Sequence, residues 1–272
     1  MAPLGLGSGF FGIGPTISSD NATLISATGT AIRVVSGIQE GVFACDNSVL
    51  QSTFRASFTI AFWIKVVDGQ PSSNQALFGT LNASTCIFEL YTDGKLTFTF
   101  KGNSDQHLNQ TDAAVFADGA NAYKHVAVTM QKDGNSTSII YVDGAAVATS
   151  IQSGNEISEA NHAAWAHGDD IFGIGALGSV AWDPNLTNIG TNADIAEFAI
   201  WNVALDADAV AKVEDLGVPT ASNNPNLLVD AGDYDVSSNL VAYWKLNDYS
   251  GAYANESKSG NTGKLLGDSV FV

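Results

Sequence analysis

The feature that most narrows what this chain can become is the run Ser57-Phe58-Thr59-Ile60-Ala61-Phe62-Trp63-Ile64-Lys65-Val66. Phe58, Ile60, Phe62 and Ile64 alternate with Thr59, Ala61, Trp63 and Lys65, the two-residue period of a half-buried β-strand. Shorter runs surround it. Ala31–Val35, Ala76–Thr80 and Cys86–Tyr91 have the same character, and Thr92-Asp93-Gly94-Lys95 turns the chain into Leu96–Phe100. The Asp-Gly pair there suits a type I′ turn. His125–Met130 passes through Asp133-Gly134-Asn135 into Ser138–Val142, and Asp143-Gly144 turns again into Ala146–Ala148. Strand after strand with Asp-Gly punctuation and no helical period describes an all-β, antiparallel two-sheet sandwich.

Four segments follow from the composition along the chain. Residues 1–20 form a Gly-rich N-terminal arm in which Phe10-Phe11 lies between glycines. Two such rings are costly to leave in water, so the arm is either a flexible tail or an assembly element that docks on a partner subunit. Residues 21–216 hold the sandwich. Within them 154–191 reads as long loops around a short strand at Ile171–Gly175, Ala193–Trp201 as a strand, and Asp206–Leu216 as the one short helix, with Asp206 near its start. Residues 217–226 are a Pro/Asn-rich linker. Residues 227–272 carry a last strand from Leu240 and should pack on the sandwich or on a neighbouring subunit.

Charge excludes some partners. The 272 residues hold 28 acidic and 11 basic side chains, a formal net charge of −17. Nucleic-acid binding draws on clustered Lys and Arg, so no nucleic-acid partner is expected. An anionic membrane would be repelled as well, and no stretch has the roughly 18 apolar residues of a span, so no membrane insertion is expected. The carboxylates either serve solubility or are available to divalent cations. Cys45 and Cys86, the two cysteines, cannot build a disulfide scaffold or a four-cysteine zinc site. The first nine residues lack the basic and apolar regions of a secretory leader. A mature chain, or one that reaches the outside by another route, is the expectation.

Several segments match one family in order. The Phe58–Val66 strand with its Trp63, Lys124-His125-Val126-Ala127-Val128-Thr129, Ile140-Tyr141-Val142-Asp143-Gly144, Ile174-Gly175-Ala176 and Asp194–Leu205 together resemble the laminin-G-like branch of the concanavalin A-like jelly rolls. Leu240-Val241-Ala242-Tyr243-Trp244-Lys245-Leu246 and Ser259-Gly260-Asn261 resemble that family's opening strand, here at the other end. That suggests a permuted strand, or a truncated second copy completed by another chain. The resemblance implies a jelly-roll sandwich with a non-catalytic recognition or assembly role. It also implies one calcium ion at the rim, for which the loop carboxylates Asp169, Asp170 and Asp183, with Asp46 and Asn47 behind them, are the candidates. More loosely, a Gly-rich start such as Leu4–Phe11 is similar to accessory virion proteins of tailed phages. A surface-exposed decoration or fibre component of a virion is therefore the first functional expectation, with other virion proteins as partners and a homo-oligomer as its form. A soluble lectin-like module binding a cell-surface glycan is the second, and a degenerate glycosidase the third. Localisation follows: virion surface or extracellular.

Related jelly-roll glucanases carry E-x-D-x-x-E on one strand, and Asn192-Ala193-Asp194-Ile195-Ala196-Glu197 resembles it with Asn192 in the first position. An amide cannot act as a carboxylate nucleophile, so catalysis is not expected, and Asp194 and Glu197 are assigned structural roles. For ligand binding the candidates are Trp165 and Trp182, with His162 and His167 beside them in the same loops. Loop indoles stack on sugar rings. Equally, they can plug the open end of a sandwich or bury against a neighbouring subunit. His125, inside a strand motif, reads as a structural histidine, and Trp63, Trp201 and Trp244 as core or sheet-face residues.

Overall fold

The structure, a computed structural model, describes residues 31–34, 41–44, 47–81, 85–102, 105–154, 157–166, 172–177, 189–220, 222–250, 253–258, 263–266 and 270–271. In chain order the strands are β1 (Ile32–Val34), β2 (Gly41–Ala44), β3 (Phe58–Val66), β4 (Gln75–Leu81), β5 (Thr85–Leu90), β6 (Leu96–Lys101) and β7 (Gln106–Thr111). Then come β8 (Lys124–Gln131), β9 (Asn135–Val142), β10 (Ala145–Ala146), β11 (Thr149–Gly154), β12 (Ile157–Ser158) and β13 (Phe172–Ile174). The last are β14 (Ile189–Gly190), β15 (Ala193–Trp201), β16 (Leu240–Ser250), β17 (Tyr253–Glu256), β18 (Gly263–Leu266) and β19 (Val270–Phe271). Three α-helices accompany them: α1 (Asn47–Phe54), α2 (Glu159–Ala163) and α3 (Ala207–Asp215).

Two sheets face each other. In the first, β9 pairs with β8, β8 with β3, β3 with β15, and β15 with β1 and β16. In the second, β11 pairs with β7, then β6, β5, β4, β13, β2 and β18 follow. All these ladders are antiparallel, and β14 adds a short parallel contact to β4. The jelly-roll sandwich read from the sequence is the fold. β16 links the layers: Leu240–Trp244 pairs with β15, and Tyr249–Ser250 pairs with β17, which leads through β18 into the second sheet. Leu246, at a φ of 60°, lies where that register shifts.

The core between the sheets is built by alternation. Phe58, Ile60, Phe62, Ile64 and Val66 of β3 meet Phe78, Cys86, Phe88, Leu90, Phe98 and Phe100 of the second sheet, all buried. Burying a side chain of this size contributes about 1.5–3 kcal/mol, so this layer is the main source of stability. Cys86 is a free thiol within it, pushed up in pKa by burial; Cys45 lies outside the described residues.

The structure corrects the sequence reading in three places. β3 is buried on both faces, not one, because α3 and residues 216–240 pack a second apolar layer on its outer side, with Ala61, Trp201, Val210, Val213, Leu227 and Tyr243 inside it. Among the described residues there are three α-helices where one helix was expected. α3 has its Asp206 cap, accepting from the Ala209 amide at 2.9 Å. α1 was missed, although Leu50 and Phe54, four apart, face the core; α2, capped by Ser158, is a single turn. Finally, the Asp93-Gly94 turn is not type I′. Gly94 has a positive φ (79°) and Asp93 does not, and the Gly94 amide donates to Tyr91 O at 3.0 Å, so this is a three-residue loop with a glycine in the left-handed position. A Cβ at Gly94 would lie 2.3 Å from Phe116 O. Gly94→Ala is expected to cost at least 1–3 kcal/mol, roughly the price of a strained backbone, read as a lower denaturant midpoint with an unchanged slope.

Candidate functional site

The outer face of the first sheet gathers groups that a purely apolar layer does not need. Trp63 on β3 and His125 on β8 are register partners, and their rings lie 5.3 Å apart between centroids. Next to β3 runs β15, whose register slips between Ala196 and Ala199. This β-bulge holds Glu197 at a φ of 54°, a backbone state that non-glycine residues rarely adopt. Bulges re-aim side chains, and here the effect is direct: Ile195 and Phe198 point into the core while Glu197 joins the outer face, 4 % exposed. Tyr243 of β16 donates its hydroxyl to Glu197. Lys245 follows two residues on, on the same side of the strand.

A cover closes over this face. Residues 216–220 and 222–227 leave α3 and cross it, and only a narrow gap remains between Trp63, His125, Glu197 and the covering Leu216, Gly217, Pro225 and Leu227. Lys245 Nζ donates to the Pro225 carbonyl at 2.8 Å and to Asn224 Oδ1 at 2.9 Å. Tyr243 OH also reaches the Pro225 carbonyl, at 3.3 Å. Val218 packs with Trp63, Tyr123 and Ala31, and Lys65 Nζ sits 5.9 Å from the Tyr123 ring centre.

Burial fixes the protonation of the face. It lowers the His125 pKa to about 4 despite the opposing charge of Asp143, so the imidazole is neutral at pH 7. Burial, and then the Glu197 charge, push the Tyr243 phenol well up, so it stays a donor. Asp143 is otherwise engaged, accepting from the His125 amide and from Lys124 Nζ, both at 3.0 Å. Asp194 lies in register between Lys65 and Arg33. The result is an indole, a neutral imidazole, a phenol–carboxylate pair and an ammonium on one face. Uncovered, such a set has the chemistry to stack on and hydrogen-bond a polar ring; in the structure its rings and carboxylate are buried beneath the covering residues. Replacing Tyr243 by Phe removes the phenolic donor from a buried carboxylate. We expect a loss of about 1–3 kcal/mol, measured by urea unfolding.

The residues expected to bind ligand sit elsewhere. Trp165 is fully buried, its ring edge-on to Phe54 at 5.2 Å and stacked on Phe100 at 6.1 Å. It is no surface platform: it is part of the apolar core between the sheets. His162 is buried beside it, its Nδ1 2.7 Å from Ser136 Oγ and its ring 4.9 Å from that of Phe100, and is likewise withdrawn from any ligand. Trp182, His167, Asp169, Asp170, Asp183, Asp46, Phe10 and Phe11 lie outside the described residues, and Asn47 is the first residue of α1. Among the described residues no group of three or more His, Cys, Asp or Glu is placed to hold a metal ion, and no helix is long and apolar enough to cross a membrane. The groups that do converge, Trp63, His125, Tyr243 and Lys245, had a signal in their shared alternation; the bulge that turns Glu197 toward them has a counterpart only in the E-x-D-x-x-E strand of the related glucanases, and none in composition or period.

Comparisons with known proteins agree with this architecture. A laminin-G family model, described as the Concanavalin A-like lectin/glucanases superfamily, matches residues 40–211. No curated protein matches the chain. Among solved structures, a protein from Bacteroides ovatus described as carbohydrate binding superposes with a TM-score of 0.53 at 14% identity. The match covers 90% of this chain and 60% of that one, so the chain spans less than two thirds of its neighbour's length. The carbohydrate-binding module CBM40 of a Ruminococcus gnavus IT-sialidase, bound to α2,3-sialyllactose, gives 0.46 at 14% identity, covering 68% of this chain and 98% of that one. A heptameric SAP-like pentraxin from Limulus polyphemus gives 0.41 at 11% identity, over 74% and 92%.

Proposed function

Because the chain belongs to the concanavalin A-like lectin/glucanases superfamily, we propose that it is a non-catalytic recognition module for a cell-surface glycan, displayed on the outside of an extracellular or virion-borne assembly. The observation that carries this reading is the sheet-face cleft of Trp63, His125 and Glu197. An indole face, a neutral imidazole and a buried carboxylate are what a sugar ring and its hydroxyls require. Carbohydrate binding is also the description of the Bacteroides ovatus neighbour.

Hydrolysis is argued against by the same residues. A retaining glycosidase needs two carboxyls about 5–5.5 Å apart, one to attack and one to protonate. Glu197 is tied to the Tyr243 hydroxyl, Asp194 is flanked in register by Lys65 and Arg33, and Asn192 stands where a third carboxylate would be. The virion setting is supported by the Gly-rich Leu4–Phe11 segment and by the acidic balance of the chain.

The test is a glycan array with purified protein, in calcium and then in chelator. We expect retention on at least one glycan class with no release of sugar. Dependence on calcium would place an ion in the working surface. If no glycan is retained in either condition, protein–protein assembly replaces the reading. Hydrolysis that disappears in Glu197→Gln would replace it with a glycosidase.

A further inference from the structure

We infer that the segments Leu216–Thr220 and Ser222–Leu227 are a displaceable cover, and that the glycan competes with the chain's own peptide oxygens for the sheet face beneath them. The inference rests on the recognition reading above and adds to it the location of the site and its regulation.

The contacts of the cover resemble those of a ligand. Just ahead of Leu227 it meets the sheet through oxygens: the Pro225 carbonyl and Asn224 Oδ1 both accept from the Lys245 ammonium. Sugar hydroxyls can accept from the same ammonium. By contrast, Leu227 is buried in the apolar layer with Leu216 packed against it, which anchors the two ends and leaves the middle to move between them. Gly217, at a φ of 82°, begins the moving part. Asn223 clips it into shape, its Nδ2 donating to Leu216 O and Val218 O at 3.0 Å each. Hinges of this kind are a few residues at the ends of elements that absorb the backbone change.

The face is also incomplete while covered. His125 is 1 % exposed, yet its Nδ1 finds no hydrogen-bond partner among the described residues. Buried polar atoms are normally satisfied, and each exception calls for a reason. Glu197 is held in a strained backbone state at the bulge, and such strain gathers at ligand clamps and switch regions. The gap has room for on the order of one water, so a pyranose ring enters only when the cover lifts. Lifting it uncovers Trp63 for stacking and frees Lys245 at the same moment.

The experiment compares the wild type with Val218→Ser/Asn223→Ala, two changes in the cover that leave the sheet face intact. Two readouts are taken. One is retention on an array of immobilised mono- and oligosaccharides; the other is hydrogen–deuterium exchange at the His125 imidazole C2, followed by mass spectrometry. We expect the loosened protein to show at least tenfold stronger glycan retention and faster His125 exchange, and Trp63→Phe in that background to lower retention several-fold. Near-UV circular dichroism confirms that each variant is folded. Equal retention by both proteins despite faster His125 exchange overturns the cover while leaving glycan recognition standing at another surface. No retention by either protein overturns recognition and this inference together.

Discussion

Lowering the pH from 6.5 to 4 is expected to remove up to about 3 kcal/mol of stability for each of two buried histidines, His125 and His162. Both have their pKa lowered from 6.5 to about 4, chiefly by burial. In the unfolded chain each takes a proton near 6.5; in the folded protein it does so only near 4. Between these values the unfolded state binds more protons, so stability falls as pH falls. Each pKa unit corresponds to about 1.4 kcal/mol, which sets the size of the effect. The two sites differ in setting. His125 lies beside Trp63 with Asp143 nearby. His162 faces Ser136, Phe58 and Phe100, with Lys132 as the charge that opposes its protonation. Glu89 and Glu214, whose carboxyl pKa values burial raises, act in the opposite direction and trim the loss. Urea midpoints at pH 7, 5.5 and 4 measure it. A profile flat across that window would show that the histidines are not sealed as described; His162→Gln should flatten it by about half.

The second large effect is at Trp165. Replacing it with Ala is expected to destabilise the protein by about 3–5 kcal/mol, the range for emptying a large aromatic site in a core. The ring is enclosed by Phe54 and Phe100, its Nε1 reaches Thr85 O at 3.4 Å, and Arg55 Nε holds the Trp165 carbonyl at 2.6 Å. Strands β5 and β6 and the end of α1 line the site, so little collapse is available to fill it. A solvent-facing indole that stacks on a sugar would give a different result, since surface substitutions mostly stay within about 0.5 kcal/mol. Chemical denaturation of Trp165→Ala and Trp165→Phe decides between the two. A loss under about 1 kcal/mol for Trp165→Ala would place the ring outside the core.

The sheets were legible because period-two alternation and Asp-Gly turns are local signals. Phe58, Ile60, Phe62 and Ile64 point to one layer whatever the rest of the chain does. The second apolar layer was less legible, because Ala61 and Thr59 look like solvent-facing residues until α3 and residues 216–240 are laid over them. Trp165 shows the same limit. Gly, Asn and Asp around an indole suggest an open loop, and only tertiary packing turns that loop inward to fill a gap. For the cleft, Asn192, Asp194 and Glu197 drew attention through their spacing, which by itself does not say which of them faces outward. The bulge between Ala196 and Ala199 changes which residue faces outward, and a bulge leaves no composition mark when a glutamate occupies it.

The strand order has a consequence for biosynthesis. β18 pairs with β2, Lys264 beside Phe43, and β19 pairs with β1, Phe271 beside Ile32, so neighbours in the sheets are far apart in the order of synthesis. A nascent chain on the ribosome therefore holds β1 and β2 without these partners until β18 and β19 have emerged. Pairings so distant in sequence close late and slowly, and through that interval the hydrogen-bonding edges of β1 and β2 stay open to other chains. A cell that makes this protein in quantity gains from a chaperone that occupies those edges until the last strands arrive.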